Sequence, residues 1–129
     1  MPETVLAIDF GLKHFGLAVG QTVSRTATPL GAITASDGIP DWRLLDAAIG
    51  EWQPHRLLVG LPLNMDGTQS EMAERAQRFA ATLRNRHGQP VELIDERLTT
   101  REAKRLQPDG DGHSVAAALI AETWLTEAP

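Results

Sequence analysis

Apolar residues run along this chain in two rhythms, one of short blocks and one of steps of three and four. The block "TVLAIDFG", residues 4–11, is broken by Asp9 and Gly11, and "FGLAVGQ" follows after only "LKH", which predicts a hairpin-like return. "TPLGAITA" then offers a third strand. "RLLVGLPL" packs its apolar residues into a short run bounded by Gly60 and Pro62, the pattern of a strand covered on both faces, and "VELI" is the next strand. Helical spacing fills the intervals. "PDWRLLDAAIGEWQP" starts on Pro40 and Asp41, sets Trp42, Leu45, Ile49 and Trp52 on one face and stops at Pro54. That spacing predicts Trp42 and Trp52 as core-facing residues rather than platforms for bases. From Ser70 to His87 the positions Met72, Ala76, Phe79 and Leu83 recur at helical intervals, with Gly88 where a C-terminal glycine belongs. Thr99 and Glu102 form a capping-box signature for a short helix through Arg105, "QPDGDGH" interrupts, and "SVAAALIAETWL" makes a last helix.

Three closely spaced strands followed by strands that alternate with helices describe an α/β domain. Its sheet mixes an antiparallel meander, strands 1–3, with parallel crossovers, strands 4–5. A chain of 129 residues suits one domain spanning 1–129 with a core of its own. With 42% hydrophobic and 22% charged residues it has a globular composition, and its apolar runs are too short to cross a bilayer. There is no cysteine, which excludes disulfides and thiolate metal sites, and "MPETVLAIDF" lacks the build of a signal peptide, so a cytoplasmic location is expected. A net charge of -5 argues against coating nucleic acid by bulk electrostatics. Four of the 12 Lys and Arg residues nevertheless lie between Arg97 and Arg105, which is either a solvated basic helix face or a surface for phosphates.

The stretch "LIDERLTT" ends an apolar run in two adjacent acids. Strand alternation sends Asp95 and Glu96 to opposite faces, so at least one projects into a wetter place, as a solvated strand end or as part of a cation site. Asp9 stands near the end of the first strand, and parallel strands would bring these ends to one rim of the sheet, where α/β domains place their ligands. Plainer readings stand beside each: Asp9 as a turn former before Gly11, and Glu96 in a surface ion pair with Arg97 or Arg101.

Three motifs, "AIDFGLKHFGLAVG", "LLVGLPLNMDGTQS" and "IDERLTTREA", resemble in order and interval those of the YqgF/RuvX family, over about residues 4 to 125. That family comprises pre-16S rRNA nucleases of RNase H-like fold, related to Holliday junction resolvases of the RuvC type. The resemblance implies a five-stranded mixed sheet with helices on both faces. It also implies a nuclease hydrolysing structured RNA, in ribosome biogenesis at the 5′ end of precursor 16S rRNA, with a DNA junction as the near alternative. By resemblance Asp9 is a bridging metal ligand and Glu96 the second. Two hard cations roughly 3.5 to 4 Å apart can activate a water and stabilise a departing oxyanion, and carboxylates suit Mg²⁺ or Mn²⁺. Lys13, Asn64 and Arg97 are the expected substrate contacts: charge for a phosphate from the first and last, an amide from a loop for Asn64, whose other reading is a tight Asx-type turn. Partners implied are precursor rRNA and ribosomal particles, with no membrane, for a monomer or weak homodimer.

The chain departs from the family pattern at one place. Where the family carries an aspartate opening the last helix, in a stretch like "DSxAAxxIL", this sequence has "HSVAAALIA" with His113. Imidazole adds no negative charge to balance divalent ions, and Mg²⁺ favours oxygen. His113 is therefore a candidate catalytic ligand or proton shuttle, with Asp111 or Asp109 of the short "LQPDGDG" loop as substitute carboxylates, Asp111 being the metal candidate. The rival expectation is a weak or inactive module that binds nucleic acid or protein. An actin-like ATPase, which shares a DxG turn, needs a second half-domain that 129 residues cannot hold.

Overall fold

The computed structural model describes residues 2–64, 66–95 and 112–127. The expectations on Glu96, Arg97, Asp109, Asp111 and the Thr99–Glu102 capping box lie outside these residues.

The strands are β1 (Thr4–Asp9), β2 (His14–Gln21), β3 (Thr26–Ser36), β4 (Ile39–Pro40), β5 (Arg56–Leu61) and β6 (Val91–Asp95). They form one sheet in the order β4-β3-β2-β1-β5-β6. β1, β2 and β3 pair antiparallel, whereas β5 runs parallel to β1 and β6 parallel to β5. The mixed sheet is as expected, with one strand more than the five predicted. The addition is β4, which pairs only Ala35 with Pro40 and Ser36 with Ile39. Asp37 and Gly38 join it to β3 with φ of 49° and 81°, both left-handed, as a two-residue turn matched to strand twist demands.

β1 reads as a continuous apolar run because both of its faces are covered. Leu6 and Ile8 join Phe15, Leu17, Leu57 and Val59 in one buried cluster, under α1 (Trp42–Trp52) and α2 (Glu71–His87). Val5 and Ala7 join Ala18 and Leu58 in a second cluster, under α3 (Gly112–Glu127), which contributes Ala117, Ile120 and Ala121. Strand alternation thus sorts residues between two layers of helix.

Helix ends follow their sequence signals. Asp41 caps α1, accepting from the Arg43 N–H at 3.1 Å, and Ser70 caps α2, accepting from the Ala73 N–H at 3.0 Å. Glu71 and Glu74 open α2 and Arg84, Arg86 and His87 close it, matching its dipole. Of the two tryptophans expected in the core, Trp42 packs against the first cluster, but Trp52 is 37% exposed. α1 buries Leu45 and Ile49 and ends at Trp52, with the left-handed Gln53 as its C-cap, so its last residue runs past the apolar face. No helix among the described residues is long and apolar enough to cross a membrane.

Candidate active site

Parallel pairing puts the C-terminal ends of β1, β5 and β6 on one rim. Ile8 pairs with Val59, Val59 with Leu93, and Leu61 with Asp95. Asp9 is the last residue of β1 and one of only two buried polar or charged residues among those described. Alternation from Val5 and Ala7 turns it to the α3 side, where α3 begins. There His113 Nδ1 lies 3.7 Å from Asp9 Oδ2, with the imidazole half exposed and the carboxylate 10% exposed. At that separation the two groups do not share a hydrogen bond; they form an ion pair only when the imidazole carries a proton. The His14 ring stands 5.5 Å from that of His113, so a second imidazole adjoins the pair.

Gly16 makes this approach possible. It pairs with Asp9 across the β1–β2 ladder, and any Cβ there would run into the His113 carbonyl oxygen and the Ser114 nitrogen. The N-terminus of α3 rests on bare backbone. Gly11 fits the turn below for a similar reason, since a Cβ would strike the His14 carbonyl oxygen.

The remaining expected contacts are dispersed around this rim. Lys13 is exposed in the β1–β2 turn, and its carbonyl accepts from the Ala35 N–H at 2.8 Å, which ties the turn to β3. Asn64 follows β5 and is held within its own loop: its Nδ2 donates to Thr68 Oγ1 at 3.0 Å, and its carbonyl accepts from the Gly67 N–H at 2.8 Å. The turn is a backbone one rather than the Asx type, which belongs instead to Asp66, whose Oδ1 accepts from the Thr68 N–H at 2.9 Å, and the Asn64 amide is engaged with Thr68. Asp95 ends β6 in an exposed position, on the face opposite Ile94, which packs into the α3-side cluster. It therefore faces away from Asp9, as alternation predicts.

A divalent cation can be tested against the donors at hand. Among the described residues no group of three or more His, Asp or Glu side chains could hold a metal. Asp9 does supply a hard oxygen and His113 a nitrogen. Octahedral ligands about 2.1 Å from one ion stand about 3.0 Å apart when adjacent and about 4.2 Å apart when opposite, so the 3.7 Å between these two atoms matches neither, and the imidazole has to shift before it can share an ion with Asp9. His14 was missed by the sequence reading. Its signal was available, because position 14 follows the turn that Gly11 closes and so returns to the rim of Asp9.

The architecture matches solved structures of one class. It superposes on Thermus thermophilus RuvC in complex with a Holliday junction substrate with a TM-score of 0.58 at 16% identity, covering 98% of this chain and 96% of that one. The yeast mitochondrial Holliday junction resolvase Ydc2 gives 0.52 at 13% identity, covering 94% of this chain and 78% of that one. The fold is therefore the RuvC-like form of the RNase H-like fold. Within that class, the profile described as RuvX, Holliday junction resolvase, matches residues 3–127, and the chain belongs to the RuvX family. Relatives named as candidate pre-16S rRNA nucleases are similar over nearly their whole lengths. The Saccharophagus degradans protein is 47% identical, covering 98% of this chain and 96% of its own, and that of Azotobacter vinelandii is 48% identical, covering 99% and 96%.

Proposed function

We propose that this protein is a nuclease that hydrolyses structured RNA with a divalent cation, Mg²⁺ or Mn²⁺, and that it trims the 5′ end of precursor 16S rRNA during ribosome biogenesis. The observation that carries the reading is a buried carboxylate, Asp9, fixed at the end of the central strand on the rim that β5 and β6 share. A buried carboxylate at a ligand-binding rim is costly unless something compensates it, and a hard cation does. The names of the relatives supply the substrate.

In this reading Asp9 and Glu96 hold the cation, with His113 or Asp111 as the further ligand. When bound, the cation acidifies a water and stabilises the departing oxygen of the phosphodiester. Asp9 contributes a fixed negative charge that α3 screens from water on one side. His113, half exposed beside it, can take or return a proton at the edge of the site. Lys13 and Arg97 supply charge for phosphate oxygens. Asn64, its amide pre-set by Thr68, presents its loop to the substrate without further ordering.

The test is cleavage of a labelled precursor-rRNA fragment by wild type, Asp9→Asn and Glu96→Gln in Mg²⁺, in Mn²⁺ and without metal. Each change removes ligand charge with little change of shape. The expected loss exceeds the roughly 10- to 100-fold typical of changing a group behind a ligand, with folding intact. Equal residual activity in both variants would assign the cleavage to a contaminant.

A second reading keeps the fold and drops the chemistry. It is favoured by His113, which puts an imidazole rather than an acid 3.7 Å from Asp9. The protein would then bind nucleic acid without cutting it, with an affinity that falls with salt and ignores Mg²⁺. Cleavage of a four-way DNA junction in preference to the RNA fragment would instead favour a resolvase.

A further inference from the structure

On the opposite side of the sheet from His113, a groove of about 310 Å³ opens between the Asp37–Gly38 turn and α2. Phe10, Ile39, Trp42 and Phe79 give it an apolar and aromatic lining, and Arg75 and Arg78 give it charge. We propose that this groove binds one nucleotide of a single-stranded segment of nucleic acid, its base against Ile39 and the aromatic wall and its phosphate on Arg78. The choice of nucleic acid rests on the function proposed above; the groove itself does not.

Four observations carry the proposal. The first is size: about 310 Å³ lies at the lower end of small-ligand sites. A second protein copy would want a contact surface of about 800 Å² per partner rather than a slot for one small group. The second is composition. Aromatic lining with a guanidinium at the margin is how proteins hold unpaired bases and the phosphates between them. Ile39 is 63% exposed at the lip, an apolar side chain left in water.

The third is charge. Arg75 is spent within the protein, reaching the Asp37 carboxylate at 3.3 Å and the Asp37 carbonyl oxygen at 2.5 Å. Arg86 further along α2 is likewise spent on Asp46 and lies 4.5 Å over the Trp42 ring. Arg78, between them on the same helix face, is exposed and has no side-chain partner among the described residues. In a chain of net charge -5, an uncommitted guanidinium at an aromatic groove marks where an anion is welcome.

The fourth is position and rigidity. Phe10 follows Asp9 directly, so consecutive residues face the two sides of the rim. A strand whose phosphodiester lies at Asp9 can continue over that rim into the groove. The groove is also preformed: the Gly38 N–H donates to the Leu12 carbonyl at 3.0 Å, and a Cβ on Gly38 would press on both Phe10 and the Arg75 guanidinium. A ligand entering it pays little for ordering.

The experiment measures binding without chemistry. A labelled single-stranded oligoribonucleotide of about six nucleotides, within the usual footprint of such sites, is titrated in EDTA against full-length Asp9→Asn protein. Arg78→Glu and Arg25→Glu are then added separately to that background. They change charge equally, but Arg25 lies in the β2–β3 turn, at the opposite end of the sheet from Asp9. Arg78→Glu is expected to weaken binding severalfold and to lower the salt slope by about one phosphate contact, while Arg25→Glu changes little. Tryptophan emission should respond to the oligonucleotide, and Trp42→Phe should abolish that response. Equal effects of the two arginine variants, or a response that survives Trp42→Phe, overturn the groove assignment. So does an Arg78→Glu variant that changes only the oligomeric state. Because metal and cleavage are absent, the nuclease reading can fail while the groove still binds, and the groove can fail while wild type still cuts.

Discussion

Asp9 and His113 meet because two unrelated local choices coincide: an acid ends the central strand, and α3 begins against the bare backbone of Gly16. The histidine sets how well the pair can hold a hard cation. His113→Asp adds an oxygen donor and a negative charge beside Asp9. Without metal the two carboxylates repel and the melting temperature should fall. With Mg²⁺ the variant should regain stability more steeply than wild type, since an ion that binds only the folded state stabilises it in proportion to its affinity. Parallel Mg²⁺ titrations of melting temperature decide it, and superimposable curves would remove His113 as the weak point. Asp9 and His113 were legible in the sequence as isolated candidates. Their neighbour His14 was signalled only by its place just after the turn that Gly11 closes, and it takes the pairing of β2 with β1 to bring that position back to the rim.

The elements show which signals survive into structure. α2 runs from its Ser70 cap to Gly88 as its periodicity demands, since both signals act within a turn of the helix. β4 went unread although "SDGI" carries an Asp-Gly turn, the strongest short hairpin signal, because a two-residue strand has no periodicity of its own. α3 is apolar nearly all round, so its sequence announces burial without saying which face meets the sheet. The answer lies in β2, where Gly16, Ala18 and Gly20 line the side that α3 covers. Gly16→Ala should therefore cost about 2–3 kcal/mol or more, as overpacking against backbone does, and should displace His113 and impair cleavage. Gly20→Ala meets the Val5 and Leu125 side chains, at 3.0 and 3.2 Å, which can give way, and should be milder. Denaturant melts of both variants check the order; a Gly20→Ala variant as damaged as Gly16→Ala would refute the backbone argument.

Between α1 and α2 the clamp is electrostatic. Arg86 hydrogen bonds hold the Asp46 carboxyl below its ordinary 3.8, with His87 adding to the effect and burial opposing it. A depressed acid stabilises the fold above its unfolded value and loses that contribution as pH falls through the folded one. Asp46→Asn should thus lower the melting temperature at neutral pH. The gap from wild type should close as pH drops below about 4. A gap that does not change with pH would mean that Asp46 acts through packing alone.

At the scale of the whole molecule, the sheet is graded from centre to edge. Val5, Leu6, Ala7 and Ile8 are each fully buried, with paired strands on both sides and helices on both faces. β3 has no such cover along its outer edge, since β4 reaches only Ala35 and Ser36. The contrast was half visible in the sequence, where β1 is a continuous apolar run and β3 is broken by Pro29 and Gly31. Which strand is central, however, depends on pairings between distant segments. Amide exchange should separate the two. Protons of residues 5–8 should exchange only when the whole protein unfolds, with the free energy measured by denaturant, whereas those of Ala27, Thr28 and Leu30 should escape through local opening at a lower free energy. Equal protection along β1 and β3 would contradict the gradient. If it holds, the carboxylate proposed to carry the chemistry sits at the end of a strand that opens only with the whole fold. That placement fixes its geometry before any cation or substrate arrives, so binding energy need not be spent on ordering it.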